Sequence, residues 1–367
     1  MQECYDDLLA QLNLIGPHFT YDMIRIDVAQ FGDIGQTIYR PLDELSISPE
    51  GLSPRLIKNG YDSYSMLNGQ VYALPLDPSV QIFLYRTDLF HDAKLCRAYY
   101  ERFHENLVVP TTYEQYLHAA EFFTRSCNPD SPTEYGTTMT CGSASVAASD
   151  FLPFYLSRID RFGSTPETLR LDSPEMQAAM RQYHALEKFS CKQNWWGDSI
   201  QKFAEGKTAM TVIYSNYAAE LINSGNSVVV GRVGAAILPG CKPLLGGGIV
   251  GISRYSQKAE ACKQFFRWYY SADVASLLVR LGGTSPIVDA YEDFQNYSIF
   301  PWMNTSKKSF GLGQRGVINQ TPERFSIPKY EFAVGTAVRN VVQDLMTPAD
   351  ASRMAQALYD AADPVCR

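Results

Sequence analysis

Apolar residues recur along this chain at two spacings, and the changes between them mark out its elements. Residues 21–27 (Tyr-Asp-Met-Ile-Arg-Ile-Asp) alternate apolar with polar and predict a strand that delivers Asp27 and the loop behind it to a sheet edge. Residues 69–76, which leave a turn and stop at a proline, predict a second strand, with a third close by at 82–86. Apolar runs at 208–214, at 233–240 before a Pro-Gly turn, and at 246–252 predict three more. Helical spacing appears at 5–14, 110–124, 174–189, 199–205, 259–270, 272–281, 330–345 and 349–362, with a single short turn at 41–45. Thr112 and Ser173 sit where helix N-caps belong, and Gly206 sits just past a helix end. Strands that alternate with helices, with no internal repeat, predict α/β layers.

A chain of 367 residues exceeds what one hydrophobic core serves well, so two lobes are expected, with a ligand cleft between them. Hydrophobic residues at 46% and charged residues at 19% describe an ordinary folded protein. A net charge of -7 without long single-sign runs offers a phosphate backbone little attraction, so no nucleic-acid partner is expected. No stretch approaches the ~20 apolar residues that span a bilayer, and no secretory leader is read in residues 1–20. The eight cysteines form no CxxC pair and read as free buried thiols, which favours a reducing compartment. Aromatic residues at 13% exceed what is usual, and their flat faces suit stacking on sugar rings, although most fill cores.

Candidate chemistry is sparse. Gly246, Gly248 and Gly251 satisfy GxGxxG, but a strand-like Ile-Val-Gly-Ile follows where a dinucleotide site needs a helix. The five histidines make no HExxH spacing, and no serine sits in a GxSxG elbow. No cofactor, metal or catalytic residue is expected, and a glycoside hydrolase remains a weak competitor, since no carboxylate pair is marked by its spacing.

Five segments in order carry a resemblance: residues 21–45, 69–90, 110–124, 203–210 and 235–253. Together the chain resembles the bacterial extracellular solute-binding protein family 1, the maltose-binding-protein-like receptors of carbohydrate ABC transporters. The resemblance implies a two-lobed, type II periplasmic-binding-protein-like α/β fold. It places residues 1–108 plus 252–298 in the N-terminal lobe and 109–251 plus 299–367 in the C-terminal lobe. A further strand-helix-strand unit that the family sets before the helix at 5–14 is expected to be absent here. It implies a mono- or oligosaccharide ligand, closure of the lobes about a hinge, an ABC permease as partner and no catalysis.

Carried onto this sequence, it implies Asp27, Gln30 and Phe31 in the loop after the first strand, and Asp77 and Gln81 after Pro75. Tyr214, Asn216 and Tyr217 stand where the family carries a stacking aromatic, and Gly247 and Gly248 allow close backbone approach. Trp195 and Trp302 are second choices. An insert at 91–109, expected to be helical, together with 124–136 and 305–315, also resembles a subgroup fused behind a DNA-binding helix-turn-helix. That leaves a cytoplasmic sugar sensor as the alternative to an extracellular or lipid-tethered receptor.

Overall fold

The computed structural model describes residues 21–57, 64–159, 170–223, 225, 227–315 and 326–361. The expected helix at 5–14, Cys4 and Cys366 lie outside them. The strands are β1 (Met23–Asp27), β2 (Met66–Leu67), β3 (Gln70–Val71), β4 (Ala73–Arg86), β5 (Thr137–Thr140), β6 (Ser190–Gln193), β7 (Met210–Tyr214), β8 (Val233–Ala236) and β9 (Leu245–Ile252). The main sheet runs in the order β1-β9-β4-β7, with β8 also on β4, and every pairing in it is antiparallel. β5 and β6 form a separate parallel pair.

β4 organises both lobes. The expected strand 69–76 is divided: Gln70–Val71 form β3, and from Ala73 it runs on into the expected 82–86 as one strand of 14 residues, with Pro75 and Pro78 inside it. Proline removes a ladder donor and is tolerated at a sheet edge or a bulge. Both conditions hold: the register slips between Pro75 and Asp77, and along Ala73–Val80 the strand pairs with β9 alone. The Tyr270 hydroxyl covers the far side by donating to the Pro75 carbonyl at 2.6 Å, and Tyr269 does the same at Leu76. Beyond Gln81 the same strand pairs with β7 and β8 instead. The first half of β4 thus belongs to one lobe and the second half to the other. Two further segments cross beside it, Leu244–Leu245 and Gln314, which bridge to each other.

The insert forms helix α1 (Ala93–Phe103), capped by Asp92. It packs on α2 (Tyr113–Phe122): Tyr99 meets Phe122 at 5.2 Å, Arg102 pairs with Glu121, and Glu105 contacts His118 at 2.9 Å. The expected lobe boundary at 108/109 falls between α1 and α2, which pack together here, and β4 changes partners near Gln81. The Thr112 cap is a full capping box with Gln115, and Ser173 caps Pro174–Glu187 as read. Helix α3 (Ala144–Leu156) escaped the sequence reading because it is apolar on nearly every side. It contacts β5, as α4 (Trp196–Ala204) also does, and packs more closely against α5 (Ile327–Val342), where Gly335 lies on the Ala144 carbonyl.

The six cysteines among the described residues are free thiols, but only Cys262 is buried, and Cys127 and Cys241 are exposed. No described helix is long and apolar enough to cross a membrane.

Candidate ligand-binding cleft

Three adjacent strands set the first wall. The register aligns Asp27 on β1 and Asp77 on β4 with the same residue of β9, Gly248, so the two carboxylates stand either side of a glycine. Arg25, two residues before Asp27 and on the same face, crosses over that glycine to Asp77, with Nη2 donating at 2.8 Å and Nε at 3.3 Å. A Cβ on Gly248 would lie 2.1 Å from Arg25 Nε. Gly246 plays the same part for the Tyr214 ring, and the Tyr64 hydroxyl donates to the Gly246 carbonyl at 2.5 Å. The glycine run therefore lies in a strand, as its apolar continuation predicted, and leaves room for side chains and backbone of the neighbouring strands.

Asp27 ends β1 and caps the short turn Val28–Gln30, accepting the Ala29 N–H at 2.9 Å. This turn leaves Gln30 half-buried at its end and sends Phe31 into the core, where it is 2% exposed.

A second group of residues comes from β7, which pairs with the second half of β4. β7 runs into the turn Ser215–Tyr217, which Ser79 of β4 anchors: its Oγ donates to Asn216 Oδ1 at 2.7 Å and accepts the Asn216 N–H at 3.3 Å. Trp195, at the start of α4, is 37% exposed and stands edge-on to Tyr217 at 6.4 Å. Trp196 supports it from behind, at 4.8 Å from Trp195 and 4.9 Å from the buried Tyr214. A rigid row of rings results, with Trp195 and Tyr217 towards solvent.

Electrostatics ties the walls together. Burial pushes the Tyr217 hydroxyl up, hydrogen bonds to Trp195 and Asn216 oppose this, and Asp27 and Arg25 of the other lobe also act on it. Beneath, Arg315 pairs with Glu331 of α5 at 2.7 Å, both nearly sealed from solvent, and donates to the Tyr214 hydroxyl at 3.1 Å and the Leu245 carbonyl at 3.0 Å. Burial pushes the Glu331 carboxyl up to about 7 although Arg315 opposes it, and pushes Tyr214 up to about 12.

The residues expected to line the cleft divide accordingly. Asp27, Gln30, Asp77, Asn216, Tyr217 and Trp195 keep some side-chain exposure. Gln81 does not: it is 0% exposed, and its amide braces the crossing by donating to the Ser149 carbonyl at 2.8 Å and accepting the Leu244 N–H at 3.0 Å. Trp302, 2% exposed, fills the core against Phe300, and Phe31 is likewise core. Tyr214 backs the aromatic row, and Gly247 and Gly248 give room to β4 and Arg25. Arg25 and Ser79 went unread, although period-two alternation places Arg25 beside Asp27. Arg315 and Glu331 left no local signal.

Two α/β lobes joined by crossing strands are the fold of the type II periplasmic-binding-protein class. The chain belongs to the bacterial extracellular solute-binding protein family, which it matches over residues 2–302. Among solved structures it is similar to an ABC transporter solute-binding protein of Agrobacterium radiobacter K84 in complex with ribitol, with a TM-score of 0.77, 20% identity, and coverage of 96% of this chain and 88% of that one. It is similar also to maltose-bound MalE3 of T. maritima, with a TM-score of 0.73, 19% identity, and coverage of 98% and 88%. A solute-binding protein of Agrobacterium vitis S4 with bound D-mannitol gives 0.72, 18%, and coverage of 97% and 87%.

Proposed function

We propose that this protein binds a mono- or oligosaccharide between its lobes and passes it unchanged to the permease of an ABC transporter. The observation that carries this reading is that Tyr217, beside Trp195, lies within electrostatic reach of Asp27 and of the Arg25 that Asp77 holds. A sugar ring has an apolar C–H face and a rim of hydroxyls. Aromatic faces cover the first, and carboxylates and a guanidinium match the second with acceptors and fixed donors. The structural relatives bound to ribitol, mannitol and maltose support the ligand class. The family and the structural relatives are solute-binding proteins, which supports binding without turnover.

The test is a thermal-shift and calorimetric screen of polyols, hexoses and maltodextrins. A true ligand at about a hundred times its Kd adds roughly 2.7 kcal/mol of stability. Release of reducing sugar from a stabilising ligand would overturn the non-catalytic reading, and the absence of any sugar ligand would overturn the whole. Trp195→Ala and Tyr217→Ala are each expected to weaken binding by about 1–3 kcal/mol, with unfolding midpoints of the free protein near the parent value, because both rings are partly exposed. Unchanged calorimetric affinity in both variants would remove the aromatic row from the site. Uptake of the identified sugar by cells carrying the cognate permease, lost with the double variant, tests the transport step.

A further inference from the structure

We infer that the cleft discriminates by charge, taking a sugar that bears a protonated amine in preference to its neutral parent and rejecting its carboxylate counterpart, with Asp27 setting the sign. The inference rests on the carbohydrate reading above and goes beyond it to the ligand's chemical class.

It follows from which charges around the cleft are already matched. Arg25 is held by Asp77 through both Nε and Nη2. Arg315 is held by Glu331, the Tyr214 hydroxyl and the Leu245 carbonyl, out of reach of solvent. Asp27 is different. Among the described residues its carboxylate accepts one hydrogen bond, from the Ala29 N–H, and no Lys or Arg forms an ion pair with it. Its charge nevertheless reaches both walls and the floor, acting on Arg25, Tyr64, Tyr214, Tyr217, Arg315 and Glu331.

Among the described residues three carboxylates, Asp27, Asp77 and Glu331, thus stand with two guanidiniums, Arg25 and Arg315, and Asp27, which is partly exposed, is the carboxylate without an ion-pair partner. Both cations have partners of their own, so an incoming carboxylate would have to displace Asp77 or meet Asp27 directly. An incoming ammonium finds a carboxylate with an acceptor oxygen to spare. In a partly desolvated site such a difference is worth tenfold or more in affinity.

The experiment is calorimetry at pH 8, where Glu331, pushed up to about 7, is ionised. The probes are isosteric triads built on whichever neutral sugar the screen returns. For a polyol these are D-glucitol, D-glucamine and D-gluconate; for a hexopyranose, methyl glucoside with its 6-amino-6-deoxy and glucuronide forms. The expected order is amine, then neutral, then carboxylate, each step about tenfold, narrowing as salt is raised. Asp27→Asn keeps an acceptor for the Ala29 N–H and should keep the unfolding midpoint, while bringing amine and neutral ligand to within about threefold of each other. Equal affinities for amine and neutral sugar, carboxylate binding as tight as the neutral form, or an order that survives in D27N would each overturn the charge inference and leave the sugar reading standing. A screen in which no sugar binds overturns both.

Discussion

Arg315→Met is expected to cost about 3–5 kcal/mol of stability at pH 8, the toll of leaving one partner of a buried ion pair behind. Arg315 and Glu331 are paired at 2.7 Å with side chains 9% and 3% exposed, so water cannot replace the lost guanidinium. The cost depends on pH in a direction that can be worked out. Burial has pushed Glu331 from 4.5 to about 7 in the folded protein. Between those values the folded state binds more protons than the unfolded one, so this group's contribution falls as pH rises from 4.5 to about 7 and is level above. Removing Arg315 removes the chief influence holding the carboxyl down, and the folded value climbs further. The variant should therefore lose more at pH 8 than at pH 5, where the carboxyl takes a proton and no bare charge is buried. Urea unfolding at the two pH values checks this, and equal losses at both would show that Glu331 is not the stranded charge. The double variant Arg315→Met, Glu331→Leu should recover to within about 2 kcal/mol of the parent, because an apolar pair of similar volume substitutes well for a buried ion pair.

Gly247→Ala is expected to cost about 3–5 kcal/mol, from two terms that add at one residue. Gly247 has φ +89, in the left-handed region, and a Cβ there would sit 2.1 Å from the Asp77 carbonyl oxygen and 2.9 Å from the Ser79 nitrogen. Both obstacles are backbone, so no rotamer change relieves them and β9 must part from β4. Gly69 is the control: its φ is +79, but nothing lies within 4 Å of the Cβ position, so Gly69→Ala should show the conformational term alone, about 1 kcal/mol. Denaturant midpoints of the two variants measure the difference. Similar values for both would mean that β9 and β4 separate at little cost, and the close approach would then have no structural weight.

Several features of this fold are decided within a few neighbouring residues and could be read directly. Asn68-Gly69 turns the β2-β3 hairpin because both adopt positive φ, at 49 and 79 degrees. Thr112 with Gln115, and Ser173, cap helices where their spacing says they should. The alternation of residues 21–27 placed Asp27 at the end of a strand, and Tyr217 lies in the turn after β7. What misled was local chemistry overruled at a distance. Pro75 should stop a strand, yet β4 continues because a bulge and the hydroxyls of Tyr269 and Tyr270, from a helix end nearly two hundred residues later, satisfy the disrupted edge. Gln81 looked like a ligand-facing amide, but its amide joins Ser149 to Leu244 inside the crossing.

The sequence by itself therefore determined the class of protein, through five segments in order, and those strands and helices whose periodicity, caps and turns depend on near neighbours. Only the tertiary structure decided which residues face the opening and which brace it from behind. Whether a carboxylate is matched or left over depends on which cation the fold brings beside it: Arg25 reaches Asp77 across a glycine, and Arg315 reaches Glu331 beneath Tyr214, while among the described residues Asp27 has a single backbone donor. Those pairings join residues far apart in the chain, where no spacing rule operates and only packing brings the partners together.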